Sequence, residues 1–213
     1  SDASQHIGFS KLVLLLVSSF NVTVTGIVFD GCKFVGSAPS GTENGIELAQ
    51  AVRNITVRGN IFLRLLRGIS GMNTWFGEEA LTIEDNQFLA GYRSSSGSGN
   101  QLGSAMEVHG ANVIIKRNII DFQGSFNGGY RGVHVAVMSN SESIIVEQNS
   151  IKGTVSASLF IQGQGGSPDS FLIANNMINV VAYPVWANEP AYGIGITLNV
   201  GNAKILFNTL LLH

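Results

Sequence analysis

Apolar and polar residues alternate in short bursts along this chain and never settle into the spacing of a helix. In NITVRGNIF, which starts at Asn54, Ile55 and Val57 point one way while Thr56 and Arg58 point the other. That period of two is the signature of a strand. The phrase recurs: NVTVTGIVF from Asn21, ALTIEDNQF from Ala80, NVIIKRNII from Asn112, SIIVEQNSI from Ser143, SFLIANNMI from Ser170 and NAKILFNTL from Asn202. A second alternating run lies upstream of most copies, as LVLLLV (12–17), GIELAQ (45–50), AMEVHG (105–110), GVHVAV (132–137), SLFIQG (158–163) and GIGITL (193–198). The third repeat carries only a weak version at Gly68–Met72. Each repeat of about 30 residues thus predicts about three short strands and no helix, which is the mark of a stacked repeat architecture.

Short strands at this period predict a coil that climbs by one strand spacing, about 4.8 Å, per turn. Its alternate Val, Ile, Leu and Phe side chains stack inside as columns. The recurrent Asn at positions 60, 86, 118, 149, 176 and 208 stands two residues before a large apolar residue. Asn tolerates the left-handed backbone of a sharp turn, and stacked amides can hydrogen-bond along a column. The first copy interrupts this file. Either Ile27 or Cys32, in DGCKF, occupies the matching position there.

The coil length, the strand–Asn–strand phrase and the Asn column cover residues 12–212. In these features the chain resembles the right-handed parallel β-helix of the pectin-lyase-like superfamily. The resemblance implies an all-β solenoid of about seven coils with an Asn ladder, a single domain over 1–213. It also implies a function among polysaccharide lyases, polygalacturonases and other hydrolases, epimerases, tailspikes and non-catalytic binding or bracing coils. The calcium-binding Asp cluster of pectate lyases is not visible, since the five Asp (2, 30, 85, 121 and 169) are scattered. The paired-Asp motif of polygalacturonases is missing, and His109-Gly110 matches only a two-residue fragment of that family's pattern. The motif of alginate epimerases is missing as well.

Composition sharpens the picture. Only 12% of residues are charged, Gly numbers 26 and the formal net charge is −2. This suits a turn-rich β body and gives no basic stripe for nucleic acid and no polybasic segment for a membrane surface. Cys32 is the sole cysteine, so no internal disulfide forms; it reads as a small buried or turn residue. LVLLLV after Lys11 is too short to span a membrane and reads as a buried strand of the first coil. Asn21-Val-Thr and Asn54-Ile-Thr match glycosylation acceptors but fall on turns of the stacked body. No capping element guards either end, which suggests a piece of a longer chain or ends covered by partner subunits.

In the family it resembles, binding surfaces lie outside one sheet. Aligning the upstream strands by their inward apolar residues predicts two outward columns. One reads Glu47, Ser70, Glu107, His134, Phe160, Gly195, and the other Ala49, Met72, His109, Ala136, Gln162, Thr197. Glu107 and His134 then lie about 5 Å apart at the backbone, and His109 roughly 7 Å from Glu107 along its strand. A carboxylate beside an imidazole is an acid–base pair. Glu47 lies two coils from Glu107, about 10 Å, near the 6.5–9.5 Å carboxyl separation of inverting glycosidases. Arg67 and Arg131, in RGI and RGV, can clamp a uronate carboxylate or stabilise an enolate. The expected catalytic set is Glu107, His134, His109, Arg131 and Glu47. The expected substrate-binding set is Trp75, Tyr92, Tyr130, Arg67, Gln162 and Trp186, several of them aromatics on the insertions beside this sheet. For each residue the competing reading is structural, an exposed polar contact or a ring covering the coil.

These positions predict a polysaccharide lyase or glycoside hydrolase acting on an extracellular polysaccharide, with no metal, no cofactor, no nucleic acid and no membrane. The competing prediction is a non-catalytic glycan-binding or structural segment of a tailspike, fibre or adhesin, a trimer if tailspike-like. Either implies a secreted, cell-surface or virion-associated protein.

Overall fold

The structure is a computed structural model. It describes residues 11–15, 24–36, 44–48, 52–71, 80–90, 103–109, 112–122, 130–137, 141–154, 157–163, 168–180, 192–197 and 202–212. Among these the chain is all strand and turn, a parallel β-solenoid of right-handed type with three long sheets and no helix. The expectation of parallel strands wound without helices is met.

The first sheet holds Lys11–Leu15, Asn44–Leu48, Arg67–Gly71, Gly103–His109, Tyr130–Val137, Ala157–Gly163 and Tyr192–Thr197. The second holds Val28–Asp30, Ile55–Arg58, Ala80–Glu84, Asn112–Lys116, Ser141–Glu147, Pro168–Ala174 and Asn202–Leu206. The third holds Lys33–Val35, Ile61–Leu63, Gln87–Leu89, Ile119–Asp121, Ser150–Thr154, Met177–Val180 and Thr209–Leu212. The chain visits the sheets in that order and returns to the first, so each strand pairs in parallel with the equivalent strand one repeat away. A minor two-stranded pair joins Val24–Thr25 to Val52–Arg53.

Inward positions stack into apolar columns. Ile46, Ile69, Met106, Val133 and Leu159 form one in the first sheet, and Val57, Ile83, Ile115, Val146 and Ile173 one in the second. All of these side chains are buried. Burial contributes roughly 1.5–3 kcal/mol for each such side chain, so the columns are the main source of stability. In the third sheet Phe34, Phe62 and Phe88 stack with centroids 4.9 and 4.7 Å apart and planes within 8° of parallel. The coil rise sets that spacing. The rings need room. A Cβ at Gly45 would run into Phe62, and one at Gly68 into Phe88. Gly132 has the carbonyl of Ser158 in the same place.

The corner between the second and third sheets departs from expectation in an instructive way. The left-handed residue there is not the recurrent Asn but the one before it: Gly31, Gly59, Asp85, Arg117, Gln148, Asn175 and Phe207. That single αL residue makes the turn. The Asn that follows is selected for its carboxamide. Asn86 Oδ1 accepts from the backbone N–H of Asn60 at 2.9 Å and from its Nδ2 at 3.0 Å. The same pair of bonds recurs from Asn86 to Asn118, Asn118 to Asn149, Asn149 to Asn176 and Asn176 to Asn208. Each Nδ2 also donates to a backbone carbonyl of the preceding coil, as Asn118 does to Ile83.

The first coil resolves the choice of register. Val28–Asp30 pairs with Thr56–Arg58, and the N–H of Cys32 donates to Asn60 Oδ1 at 2.8 Å. Cys32 therefore takes the Asn position, not Ile27, and Val24 pairs with Val52 in the minor sheet. Cys32 is exposed, so of its two expected roles the turn residue holds. Asn54 is a turn residue as well, with φ 50°. Lys11–Leu15 is the first strand of the first sheet.

Candidate functional site

The outward columns of the first sheet follow from its register. Ser70 pairs with Glu47 and with Glu107, Glu107 with His134, His134 with Phe160, and Phe160 with Gly195. His109 pairs with Ala136, and Ala136 with Gln162. A third column runs beside them at the leading edge, where Asn44 pairs with Arg67, Arg67 with Ser104 and Ser104 with Arg131. Side chains alternate across a strand, so the Met106 and Val108 that flank Glu107 enter the core and leave its carboxylate outside.

The leading-edge column leans over the acidic one. Arg67 Nε lies 3.0 Å from Glu107 Oε2, across one coil step. Glu107 Oε1 lies 3.8 Å from His134 Nδ1, across the next. One carboxylate thus links a guanidinium to an imidazole. His134 is only 4% exposed, whereas Glu107 and Arg67 are half-buried. Asn44 Nδ2 donates to Glu47 Oε2 at 3.1 Å, so the second acid is also oriented from the leading edge. Beyond His134, its ring meets Phe160 at 5.3 Å with planes tilted by 42°, and the Arg131 guanidinium stands 5.8 Å from the Phe160 centroid.

Glu107, His134, Arg67, Arg131 and Glu47 are therefore placed on one face over four adjacent coils. Sequence reasoning missed two relationships. Arg67 belongs to Glu107 as an ion-pair partner, and Phe160 lies against both His134 and Arg131. Phe160 stood in the predicted column, but a ring on a polar face gave no signal of which cation it would support. Gln162 lies one strand step beyond Phe160 on the same face. His109 and Tyr130 lie on strands of this sheet, their side chains outside the described part of the structure. Trp75, Tyr92 and Trp186 fall outside the described residues altogether.

The arrangement can hold a proton donor or acceptor at His134, fix a carboxylate at Glu107 and present a cation at Arg131. Among the described residues no cluster of His, Cys, Asp and Glu is placed to hold a metal ion. Among the described residues no helix is long and apolar enough to cross a membrane. No protein-family model, curated protein or solved structure matches the chain.

Proposed function

We propose that this chain is a carbohydrate-active parallel β-helix of the pectin-lyase-like kind, a polysaccharide lyase or glycoside hydrolase acting on an extracellular polysaccharide. Three sheets of seven strands support a count of about seven coils. The amide bonds from Asn60 to Asn208 support an Asn ladder. The observation that carries the functional reading is the contact series Arg67–Glu107–His134 on the outside of the first sheet. A sugar chain lying across the strands would meet the Glu107 carboxylate, with the buried His134 behind it as its acid–base partner and Glu47 two coils away. Secretion, or display on a cell surface or virion, follows from that substrate.

Phe160 favours a second reading, a non-catalytic glycan-binding or bracing segment of a tailspike, fibre or adhesin, trimeric in the first case. An aromatic ring in a polar column is a platform for sugar rings whether or not a bond is cleaved.

Glu107→Ala and His134→Ala, assayed separately on acidic and neutral polysaccharides, test the proposal. A loss of about tenfold or more in cleavage for each is expected, since a positioned acid–base group contributes about 10²–10⁴-fold. Unchanged cleavage in both variants removes the site. Retained binding without any cleavage in the wild type supports the second reading.

A further inference from the structure

The ladder asparagines spend their carboxamides inside the stack, whereas Asn54 faces solvent. It stands at the corner where the chain leaves Val52–Arg53 and enters Ile55–Arg58. Its φ of 50° is a left-handed turn that Asn adopts readily. Ile55 and Thr56 follow, so Asn54 heads one of two Asn-x-Thr acceptor motifs in the chain. Asn21, which heads the other, lies outside the described residues. Ile55 is buried and Thr56 half-buried, so the strand turns Thr56 outward, to the side on which Asn54 is exposed. Equivalent positions on later coils hold Ala80, Asn112, Ser143, Ser170 and Asn202. Two residues on from these stand Thr82, Ile114, Ile145, Leu172 and Lys204. In this file only Asn54 joins a carboxamide to a hydroxyl two residues later.

The neighbouring coils leave room beside it. Val28 pairs with Thr56, which sets Gly26 opposite Asn54, and the Gly26 N–H donates to the Arg53 carbonyl at 3.2 Å. Among the described residues nothing lies within 4 Å of the place a Cβ on Gly26 would take. On the other side Leu81 pairs with Ile55, which brings Ala80 to the level of Asn54. Asn54 is thus flanked by the two smallest residue types. On the same outward face Val28 is 53% exposed, an apolar surface with nothing over it among the described residues.

We infer that Asn54 is an N-glycosylation site, modified as the chain passes an oligosaccharyltransferase during export. The donor is an oligosaccharide carried on a polyprenyl pyrophosphate. Asn54 Nδ2 gives up one proton to a base of the transferase and bonds the anomeric carbon of the first sugar. The lipid pyrophosphate leaves with the electron pair of the C–O bond that breaks, so no oxidant or reductant is needed. A glycan is bulky and hydrated and requires a surface position. Here it leaves the corner between the first and second sheets, clear of the core columns and of the Asn60–Asn208 file, and its first sugars cover Val28. The inference depends on export and not on what the first sheet does to a polysaccharide.

The test expresses the full chain behind a cleavable secretion signal in eukaryotic cells. The secreted protein is treated with peptide N-glycosidase in heavy-oxygen water, which returns a glycosylated Asn54 as labelled Asp in the peptide map. Label at Asn54 on most chains is expected. Thr56→Ser is expected to keep it. Thr56→Val, which retains a β-branched residue at an outward strand position, is expected to abolish it with an unchanged melting temperature. The glycosylated form is expected to unfold in one transition, at a midpoint no lower than that of the deglycosylated form. An unmodified Asn54 in the secreted wild type, or label that survives Thr56→Val, overturns the inference. Translation into microsomes in an Asn21→Gln background reads the same site without secretion. A glycan there that Asn54→Asp removes upholds the inference, and its absence overturns it. Neither result touches the cleavage reading, because no step uses a polysaccharide substrate.

Discussion

Arg67 and Glu107 meet across adjacent coils with Nε 3.0 Å from Oε2, and neither side chain is more than a quarter exposed. The pair ties a leading-edge residue of one coil to the outward face of the next. Fully exposed pairs contribute about 0–1 kcal/mol, whereas breaking a fully buried one costs about 3–5 kcal/mol. This pair lies between those limits. Arg67→Gln and Glu107→Gln are each expected to lower unfolding free energy by about 1–2 kcal/mol, measured by urea denaturation. The double variant is expected to lose less than the sum of the two. Strict additivity would mean the ion pair contributes no coupling.

Asn118 sits in the middle of the amide file. Its Oδ1 accepts from Asn86 N–H and Nδ2, both at 3.0 Å, and its Nδ2 donates to Ile83, Lys116 and Asn149. It is 1% exposed, so Asn118→Ala strands buried partners on both neighbouring coils. Each orphaned group costs roughly 1–3 kcal/mol, and a total of about 3 kcal/mol is expected. For a chain of this size that is a fall in Tm of about 6–12 °C. Asn208, at the last described rung, is only half-buried and donates to Ile173 alone. Asn208→Ala is expected to cost less than half as much. Equal losses at the two positions would show that the file does not act through burial.

The sheets and the first outward column were legible because inward residues at Ile46, Ile69, Met106, Val133 and Leu159 fix both register and facing. A period of two leaves no freedom once one side is apolar. Two other features were not legible. The Arg67–Glu107 contact runs diagonally between columns and depends on side-chain lean, which strand period does not encode. The αL residues before each Asn include Arg117, Gln148 and Phe207, residue types that do not advertise positive φ. The small residues at 45, 68, 105, 132, 158 and 193, by contrast, are a signal the sequence displays. Gly, Gly, Ala, Gly, Ser and Gly recur there, and at Gly45, Gly68, Gly132 and Gly193 side chains or carbonyls of neighbouring strands occupy the space a Cβ would need.

Cys32 stands where later coils place Asn. Its backbone N–H already donates to Asn60 Oδ1 at 2.8 Å, but its thiol is exposed and only reaches the Asp30 carbonyl at 3.5 Å. A carboxamide there would add the side-chain donor that Asn60 itself directs to Asn86. Cys32→Asn is therefore expected to raise stability by about 0.5–1.5 kcal/mol, the net value of one added hydrogen bond. Chemical denaturation measures it directly. A destabilised variant would mean that the first coil cannot present its amide along the file.

At the same corner Arg117 fastens two carboxylates of the preceding coil. Its Nε and NH2 groups donate to Asp85 at 2.8 Å each, and NH2 also reaches Glu84 at 2.8 Å. The hydrogen bond from Arg117, partly opposed by burial, holds the Asp85 carboxyl below its usual value of 3.8, while Asp85 chiefly raises the Arg117 guanidinium further above its own. A carboxyl whose pKa is depressed by folding stabilises the native state above its unfolded pKa. That contribution is lost as pH falls through the folded value. Wild type and Asp85→Asn are thus expected to differ in urea midpoint above the unfolded value and to converge as pH falls through the lowered folded one. The groups are exposed, so the difference is small and shrinks further in 1 M salt. A gap that widens on acidification would reverse the sign and show that Asp85 is better tolerated as the neutral acid.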